Sequence, residues 1–473
     1  MKFLRLRALD SLLPLLLTGL ALFAGPVAVL SDNLGWHDQQ RIVQIVLLAV
    51  AGLGALTLWR HDVSACAARV PRWVRRSLAG AFGLGLVSAF TAAYPRFAAL
   101  EWATFWLLAS LAMLLAMHAS KAKTLFDVWA YRVVAAVAAM IALKVMVAYV
   151  VAMFVVRPLD TTRLFDGVFA NRRFFGQVAS MVVPLLAFPL LRGGLSKAAH
   201  VALFGLLTVW WMLVIASGTR GTWVALVLAS GVLAVFAWRA SRGWIRLQLM
   251  ALAGGASLFA IFFIWLPGQL ALHASIENRL ANISTLSARD ELWAVAWTQV
   301  QAHPWLGVGP MHLAAIPMTH GAHPHNSVLQ LAAEWGVPAA IALLVPALIG
   351  VLRLLRKLRE EASPDILLVC LAASLLAAAA QSMVDGVIVI PYTQTWLALV
   401  AGWALGVYFR NVGQTVVAND SHTGISLLSI FALAALLNGI FPDVFHRDEA
   451  TRAFLKEGHP MVTPRYWFVG RIP

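Results

Sequence analysis

The sequence predicts an all-α polytopic membrane protein with about twelve transmembrane helices. Composition is the first reason. Of 473 residues, 61% are hydrophobic and only 12% are charged, and the mean hydropathy is +0.80, which lies outside the range of soluble globular proteins. The second reason is that apolar runs long enough to cross a bilayer follow one another along the chain, separated by short polar segments.

The apolar runs also define the predicted organisation of the chain. Nine lie in residues 1–266, three in 337–410, and a large loop with short helices occupies 267–336. The C-terminal segment 411–473 holds one further run, 424–441, which could be a thirteenth span and would then carry the polar tail to the other side. We interpret the first run, which follows a basic N-terminus, as an uncleaved helix. The twelve runs are 12–30, 42–59, 78–94, 98–117, 129–155, 174–191, 201–217, 222–238, 249–265, 337–352, 366–384 and 395–409.

Charge sets the predicted orientation. The formal net charge is +15, but the basic residues stand in short clusters between apolar runs, which is typical of membrane topology and argues against nucleic-acid binding. With the N-terminus inside, the inner loops carry roughly twice as many Lys and Arg residues as the outer ends. The loop 267–336 is therefore predicted to lie outside the cytoplasm.

Some charged residues fall within predicted spans. Glu101 and Lys144 both lie in the outer half of their apolar runs. Because charges at such depth are normally paired or line a cavity, we expect a Glu101–Lys144 pair that joins two helices.

The large loop is rich in histidine. Two of its histidines stand two residues apart at the start of a predicted short helix, 327–335, and His320 is near them, so a metal site is one possibility. No carboxylate sits beside them, which favours instead a neutral imidazole at a helix start, acting as a general base. For His303, His312 and His320 a structural role is the simpler interpretation. The loop histidines are His273, His303, His312, His320, His323 and His325.

A tight turn between two spans could receive an anion. In Ser217-Gly-Thr-Arg-Gly-Thr222, glycine flanks Arg220, and the amides of the following helix add a positive dipole end. The alternative is a plain helical hairpin with an arginine at the membrane interface.

A second arginine opens an amphipathic helix in the loop. Ser287 and Asp290 form a capping-box pattern, and an apolar stripe then continues to Pro304. Arg289 in the first turn is unfavourable for the helix dipole, so helix stability does not explain it. It either pairs with Asp290 or Glu291, or it binds a ligand.

Further polar residues on the predicted outer side could support the histidines and arginines described above. Asn326 either orients His325 or caps the helix after it, and Glu334 is expected to support the site from behind the residues that contact the substrate. Asp385, at the outer exit of a span, can steer an arginine or a histidine of the site. Three arginines could bind phosphate groups of a substrate, and Gln177 lies close to two of them in sequence: Arg163, Arg172 and Arg173.

Taken in order, these motifs resemble the O-antigen ligase and polymerase superfamily. The resemblance rests on Gly218-Thr-Arg-Gly-Thr-Trp223, on Arg289-Asp-Glu-Leu-Trp293 followed by Pro304-Trp-Leu-Gly-Val-Gly309, and on Pro324-His-Asn-Ser-Val-Leu-Gln330 followed by Glu334-Trp-Gly336. A loop containing Asn and Arg ahead of a span, Phe169-Ala-Asn-Arg-Arg-Phe-Phe-Gly176, adds to it. The resemblance covers about residues 165–409.

The resemblance implies a bacterial inner-membrane enzyme, similar to the GT-C class of polytopic glycosyltransferases, with its active site at the periplasmic face. Its donor would be a glycan on undecaprenyl diphosphate, and in the ligase branch its acceptor is the lipid A-core oligosaccharide. It implies that His325 is catalytic and that Arg220 and Arg289 bind the diphosphate. We expect inverting transfer without metal or other cofactor, and contacts with membrane lipids.

Two alternatives remain at this stage. The polymerase branch joins repeat units instead, and the motifs do not separate it cleanly from the ligase branch. We favour a ligase because one loop carries both the Arg289 and the His325 motifs. A transporter of lipid-linked glycan is disfavoured, because we find no internal repeat and few intramembrane charges.

Overall fold

A computed structural model of the chain is helical almost throughout. Two two-residue strands, β1 (Leu159–Asp160) and β2 (Ala274–Ser275), pair in parallel between helical regions. The structure describes residues 12–31, 34–58, 69–155, 159–161, 163–269, 274–275, 289–316, 321–361, 363, 365–410, 422–456 and 464–472. The predictions on Ser287, His273 and His320 lie outside these residues.

The first half of the bundle consists of long helices joined by short connections, with a 3-10 turn (Arg163–Phe165) ahead of α6 and a π-helical turn (Ala260–Trp265) after α9. The helices are α1 (Leu13–Ala24), α2 (Trp36–Leu56), α3 (Arg72–Thr91), α4 (Pro95–Ala122), α5 (Thr124–Phe154), α6 (Arg172–Leu186), α7 (Phe188–Arg192), α8 (Lys197–Ser217), α9 (Arg220–Phe259) and α10 (Leu266–Gln269).

The second half begins with the described part of the large loop, which contains two short helices and a 3-10 turn (His312–Ala315) between them. The helices are α11 (Arg289–Ala302), α12 (Ser327–Trp335), α13 (Val337–Glu360), α14 (Ile366–Ser382), α15 (Pro391–Arg410), α16 (His422–Val444) and α17 (Arg447–Lys456).

Eight helices in the described residues are long and apolar enough to cross a membrane. Four other helices also coincide with predicted runs. Two of them, α1 and α14, are apolar but shorter. The other two, α3 and α15, are not among the helices that are long and apolar enough to span. The all-helical architecture is thus confirmed, whereas the number of twelve spans stays a prediction. The eight are Trp36–Leu56, Pro95–Ala122, Thr124–Phe154, Arg172–Arg192, Lys197–Ser217, Arg220–Gln269, Val337–Glu360 and Ser426–Val444.

The longest of these segments folds back on itself. Ala237 breaks the helical conformation of α9 (φ −144°, ψ 39°), and the Ser241 hydroxyl donates to the carbonyl of Leu233, 3.1 Å away. One residue of α8, Trp211, packs near Trp223 in the first arm and donates to Gln248 in the second. A straight helix would hold Trp223 and Gln248 nearly 40 Å apart. The two arms therefore run side by side, as the separate runs 222–238 and 249–265 predict.

The helix α16 brings the C-terminal tail to a definite end of the bundle. It runs antiparallel to α4: Gly439, near its end, packs on Leu100, near the start of α4. Residues 464–472 then contact the starts of α2 and α4, where the Phe468 amide donates to Asp38. The tail thus lies at the same end of the bundle as the large loop, which the sequence alone left open.

The expected pair between Glu101 and Lys144 is wrong. Glu101 accepts two hydrogen bonds from Arg465 of the C-terminal tail, at 2.7 and 2.8 Å. Lys144 donates to the carbonyl of Pro26 at 2.7 Å and lies over the ring of Trp36. The partner of each charged residue lies in a segment distant in sequence. Helical periodicity does not predict such a pairing.

Candidate active site

The predicted site residues converge at one end of the bundle, where four helices begin and α14 ends. The indole of Trp293 in α11 donates to the carbonyl of Pro324 at 2.9 Å, so the helix with Arg289 is fastened to the segment that holds His325. A Cβ placed on Gly221 would lie 3.1 Å from the amide of Gln381 in α14. Arg220 is therefore presented next to the end of α14, just before Asp385.

The predicted catalytic histidine faces a carboxylate. The Nδ1 atom of His325 lies 3.6 Å from Oδ1 of Asp385, which is an ion-pair distance and longer than a normal hydrogen bond. The Asp385 side chain is buried and also accepts from Gln381 and from the amide of Gly386. Burial raises the pKa of Asp385, but the contact with His325, the Gly386 amide and the charge of Arg173 outweigh it, and the net pKa is lowered. The group is thus a carboxylate at neutral pH.

A second histidine holds the backbone of the first. The amide of His325 donates to Nδ1 of His323 at 3.2 Å, and the two rings meet edge to face at 4.1 Å. His325 has φ +51°, a left-handed conformation that is uncommon for a residue with a side chain. Burial lowers the pKa of His323 well below its usual value, and the charges of His325, Arg465 and His37 lower it further. His323 is therefore neutral and can accept this hydrogen bond.

Three arginines form a cationic group beside the His325–Asp385 pair. Burial lowers the pKa of Arg289, the carboxylate of Asp385 raises it, and the charges of Arg173 and Arg220 lower it again. Arg173 and Arg220 thus lie close enough to repel Arg289, although the three come from different helices. The Nε atom of Arg289 is buried and has no hydrogen-bond partner among the residues that the structure describes. Three guanidiniums gathered in one place suit a polyanionic ligand.

The glycines of the turn after α8 permit this approach. Gly218 is left-handed (φ +59°) and ends α8, so that α9 can start two residues later. A Cβ on Gly176 of α6 would lie 2.7 Å from Oγ1 of Thr219 and even closer to that of Thr222. The first turn of α6, with Arg173, is thereby packed against the first turn of α9, with Arg220.

Two motifs of the loop form one unit. The amides of Val308 and Gly309 donate to the carbonyls of Ala333 and Glu334 at the end of α12, at 2.9 and 3.0 Å. The amide of Val337 donates to Pro304 at 2.8 Å, and a Cβ on Gly336 would strike the carbonyl of Trp305. The 304–309 turn therefore supports the end of the helix that starts beside His325.

The other predicted residues lie in varied environments. Asn326 caps α12 by accepting from the Leu329 amide at 3.0 Å, one of its two expected roles. Arg163 is exposed in the 3-10 turn, whereas Arg172 is buried at the start of α6. Gln177 is fully buried and accepts from Thr393 at 2.9 Å, so in this structure it joins α6 to α15.

Glu334, expected to support the site, is buried in α12. It binds Arg465 and accepts from the amide of Leu313 at 3.1 Å. Sequence reasoning missed Arg465, although an arginine among aromatic residues in a polar tail (Pro464-Arg-Tyr-Trp-Phe468) is a pattern typical of a buried anchor. His312 has the structural role expected of it, since Nε2 accepts from the Tyr94 amide at 2.9 Å.

In the part of the chain that the structure describes, no three His, Cys, Asp or Glu residues are placed to hold a metal ion. The described cations at this end of the bundle include the guanidiniums of Arg173, Arg220 and Arg289. Arginine stays charged at any physiological pH, so this group can stabilise a diphosphate without a proton change.

Comparison with known proteins points to one family. Residues 202–344 match the family model described as O-Antigen ligase, and this region contains Arg220, Arg289, His325, Asn326 and Glu334. Arg173 and Asp385 lie outside it in sequence and join the site only through the fold. No curated protein and no solved structure is significantly similar to the chain. Residues 202–344, with the motifs they contain, are thus similar to the O-antigen ligase family.

Proposed function

We propose that this protein is an O-antigen ligase that transfers a glycan from undecaprenyl diphosphate to the lipid A-core at the periplasmic face of the bacterial inner membrane. One observation carries the proposal: a His–Asp pair, His325 and Asp385, lies beside a group of three arginines, Arg173, Arg220 and Arg289. A base next to a polycation is what transfer from a diphosphate-linked donor needs.

His325 is the general base of this reaction. Asp385 faces Nδ1 and favours the tautomer with a proton there, so Nε2 is left to accept a proton. Nε2 removes the proton of an acceptor hydroxyl as its oxygen attacks the anomeric carbon. The bond from that carbon to the diphosphate breaks, the proton stays on His325, and the configuration at the anomeric carbon inverts.

The arginines stabilise the leaving diphosphate. Negative charge grows on the bridging oxygen as the glycosidic bond breaks, and the guanidiniums of Arg220 and Arg289 offer paired donors to it. Arg173 adds a third positive charge. This cluster supplies the charge stabilisation that a divalent ion gives in many glycosyltransferases, so the transfer proceeds without a metal.

The test is the lipopolysaccharide profile of a host that lacks this protein, complemented with the wild type or with His325→Ala. A ligase predicts that the null strain and the variant show bare core while long glycan accumulates on undecaprenyl diphosphate. His303→Ala, an exposed histidine of the same loop, is the matched control and should restore the normal profile.

Other outcomes would change the proposal. Core capped by a single repeat in the null strain would identify the polymerase branch, which the one-loop arrangement of the Arg289 and His325 motifs disfavours. Full complementation by His325→Ala would remove the enzymatic role of this histidine and favour transport of the lipid-linked glycan.

A further inference from the structure

The C-terminal tail enters the same end of the bundle as the candidate active site. Arg465, Tyr466 and Trp467 are almost completely buried. The Nε atom of Arg41 in α2 donates to the carbonyl of Tyr466 at 2.9 Å, and the indole of Trp467 donates to Asp443 at 3.2 Å. Residues 464–472 are thus packed into the fold.

Arg465 joins two carboxylates from different parts of the chain. Its guanidinium donates to both oxygens of Glu101 in α4 and to Oε2 of Glu334 in α12, and its side chain is 1% exposed. The other oxygen of Glu334 accepts from the Leu313 amide at 3.1 Å. A single guanidinium therefore connects a long helix of the bundle to the helix that starts just after His325.

Glu334 is not stable as an anion in this position without the cation. Burial raises the pKa of Glu334, against the opposing charge of Arg465, and the charge of Glu101 raises it further. Removal of Arg465 would leave two carboxylates buried side by side, which is strongly unfavourable. Arg465 therefore helps to hold α12 against α4, together with the contact between Phe105 and Trp335.

The same guanidinium acts on the histidines of the site. Its charge adds to burial and to the charges of His325 and His37 in disfavouring protonation of His323. A protonated His323 has no acceptor at Nδ1, and the amide of His325 would lose its hydrogen bond. The left-handed conformation of His325 would then lose a restraint.

We propose that Arg465, in the C-terminal segment 464–472, is a positioning residue that holds α12 and His325 in the reactive geometry by joining Glu334 to Glu101. This inference rests on the proposed glycosyl transfer. Arg465 touches no reacting atom, and its contribution to the reaction is indirect.

The experiment compares variants of the purified full-length protein in a transfer assay with a polyprenyl-diphosphate glycan donor. Arg465→Gln alone can misfold because it leaves two carboxylates unpaired. Arg465→Gln combined with Glu101→Gln removes one charge of each sign, so the net charge of the cluster is kept. Arg465→Lys tests rescue by a conservative change, and Arg471→Gln is the control, since this arginine is exposed in the same segment.

The double variant is expected to fold and to lose about tenfold to a hundredfold in kcat, with little change in the KM for the donor. The acid limb of its pH profile for kcat should move to higher pH, because loss of the nearby cation makes His323 easier to protonate. Arg465→Lys should recover part of the rate, and Arg471→Gln should behave as wild type.

A folded double variant with the wild-type kcat and pH profile would overturn the inference. A double variant that is obtained in lower yield but has the wild-type kcat would overturn it as well. His325→Ala, assayed in parallel, separates this failure from failure of the proposed function. If His325→Ala is also fully active, the proposed transfer itself is wrong.

Discussion

Asp385 lies 3.6 Å from Nδ1 of His325, at the point where the exit of α14 meets the start of α12. The aspartate is buried and its neighbours keep its pKa low, so it faces the imidazole as a carboxylate. The histidine is half-buried, with its side chain 18% exposed. The nearby carboxylate favours the tautomer of the proposed base that carries a proton on Nδ1. It also brings a residue outside the matched family region into the site.

Replacement of Asp385 by Asn should lower kcat by about a hundredfold, because the neutral amide neither selects the Nδ1–H tautomer nor stabilises the imidazolium that forms. Steady-state rates at saturating donor measure the effect. Asp365→Asn is the control: Asp365 caps the other end of α14, and Asn caps equally well. Unchanged kcat in Asp385→Asn would remove this residue from the mechanism.

Loss of any one guanidinium of the site should slow transfer. We expect Arg220→Ala and Arg289→Ala to reduce kcat by about a hundredfold or more, since each removes donors aimed at the developing charge. Arg173→Ala should have a smaller effect in the same direction. Arg356→Ala, on the exposed surface of α13, is the control. Near-normal turnover by Arg220→Ala or Arg289→Ala at saturating donor would contradict the assignment.

The buried His323 makes stability depend on pH. Because burial lowers its pKa below the usual 6.5, the unfolded chain takes up a proton near that pH while the folded protein does not. Its contribution is therefore fully present above about pH 6.5 and falls as the pH decreases, by at most about 1.4 kcal/mol per pH unit.

His323→Asn should flatten this dependence, since the Asn Oδ1 can replace Nδ1 as the acceptor for the His325 amide and does not titrate. The midpoint of thermal unfolding in detergent, followed from neutral to mildly acidic pH, measures it. His303→Asn should leave the slope unchanged because His303 is exposed. An equally steep slope in His323→Asn would show that His323 does not contribute.

Gly386 should not tolerate a side chain. A Cβ at this position would lie 2.7 Å from Cε1 and 3.1 Å from Nε2 of His323, so Gly386→Ala must displace that ring. We expect a loss of stability of about 1–3 kcal/mol and a lower kcat, because His325 is held by His323. The same assays on Gly350→Ala provide the control, since a Cβ there meets nothing within 4 Å. If Gly386→Ala has wild-type stability and rate, the contact between these residues is not restrictive.

Features that depend on local sequence could be predicted. Apolar runs locate the helices, since each must satisfy its own backbone in the bilayer. The turn at Gly218, the break between the two arms of α9, and the short helix Ser327–Trp335 follow from residues adjacent in the chain. Arg220, Arg289 and His325 stood out because their motifs are compact and the chemistry of each residue type is restricted.

Pairings between distant segments could not be predicted. Glu101 was assigned to Lys144 because both are charges within apolar runs, but the structure pairs it with Arg465. Glu334 was expected to support the site, but the sequence did not show that its carboxylate binds the same arginine. In both cases the partner comes from the tail, whose side of the membrane the sequence left open.

The sequence by itself determined that the chain is a helical membrane protein with an arginine- and histidine-containing loop, because composition and periodicity act over a few residues at a time. Only the tertiary structure decided that Arg173 joins Arg220 and Arg289, that Asp385 faces His325, and that Arg465 lies between two buried carboxylates. The physical reason is that a buried charge must find its counterion within a few ångströms in space. That distance is set by how the helices pack and is independent of separation along the chain.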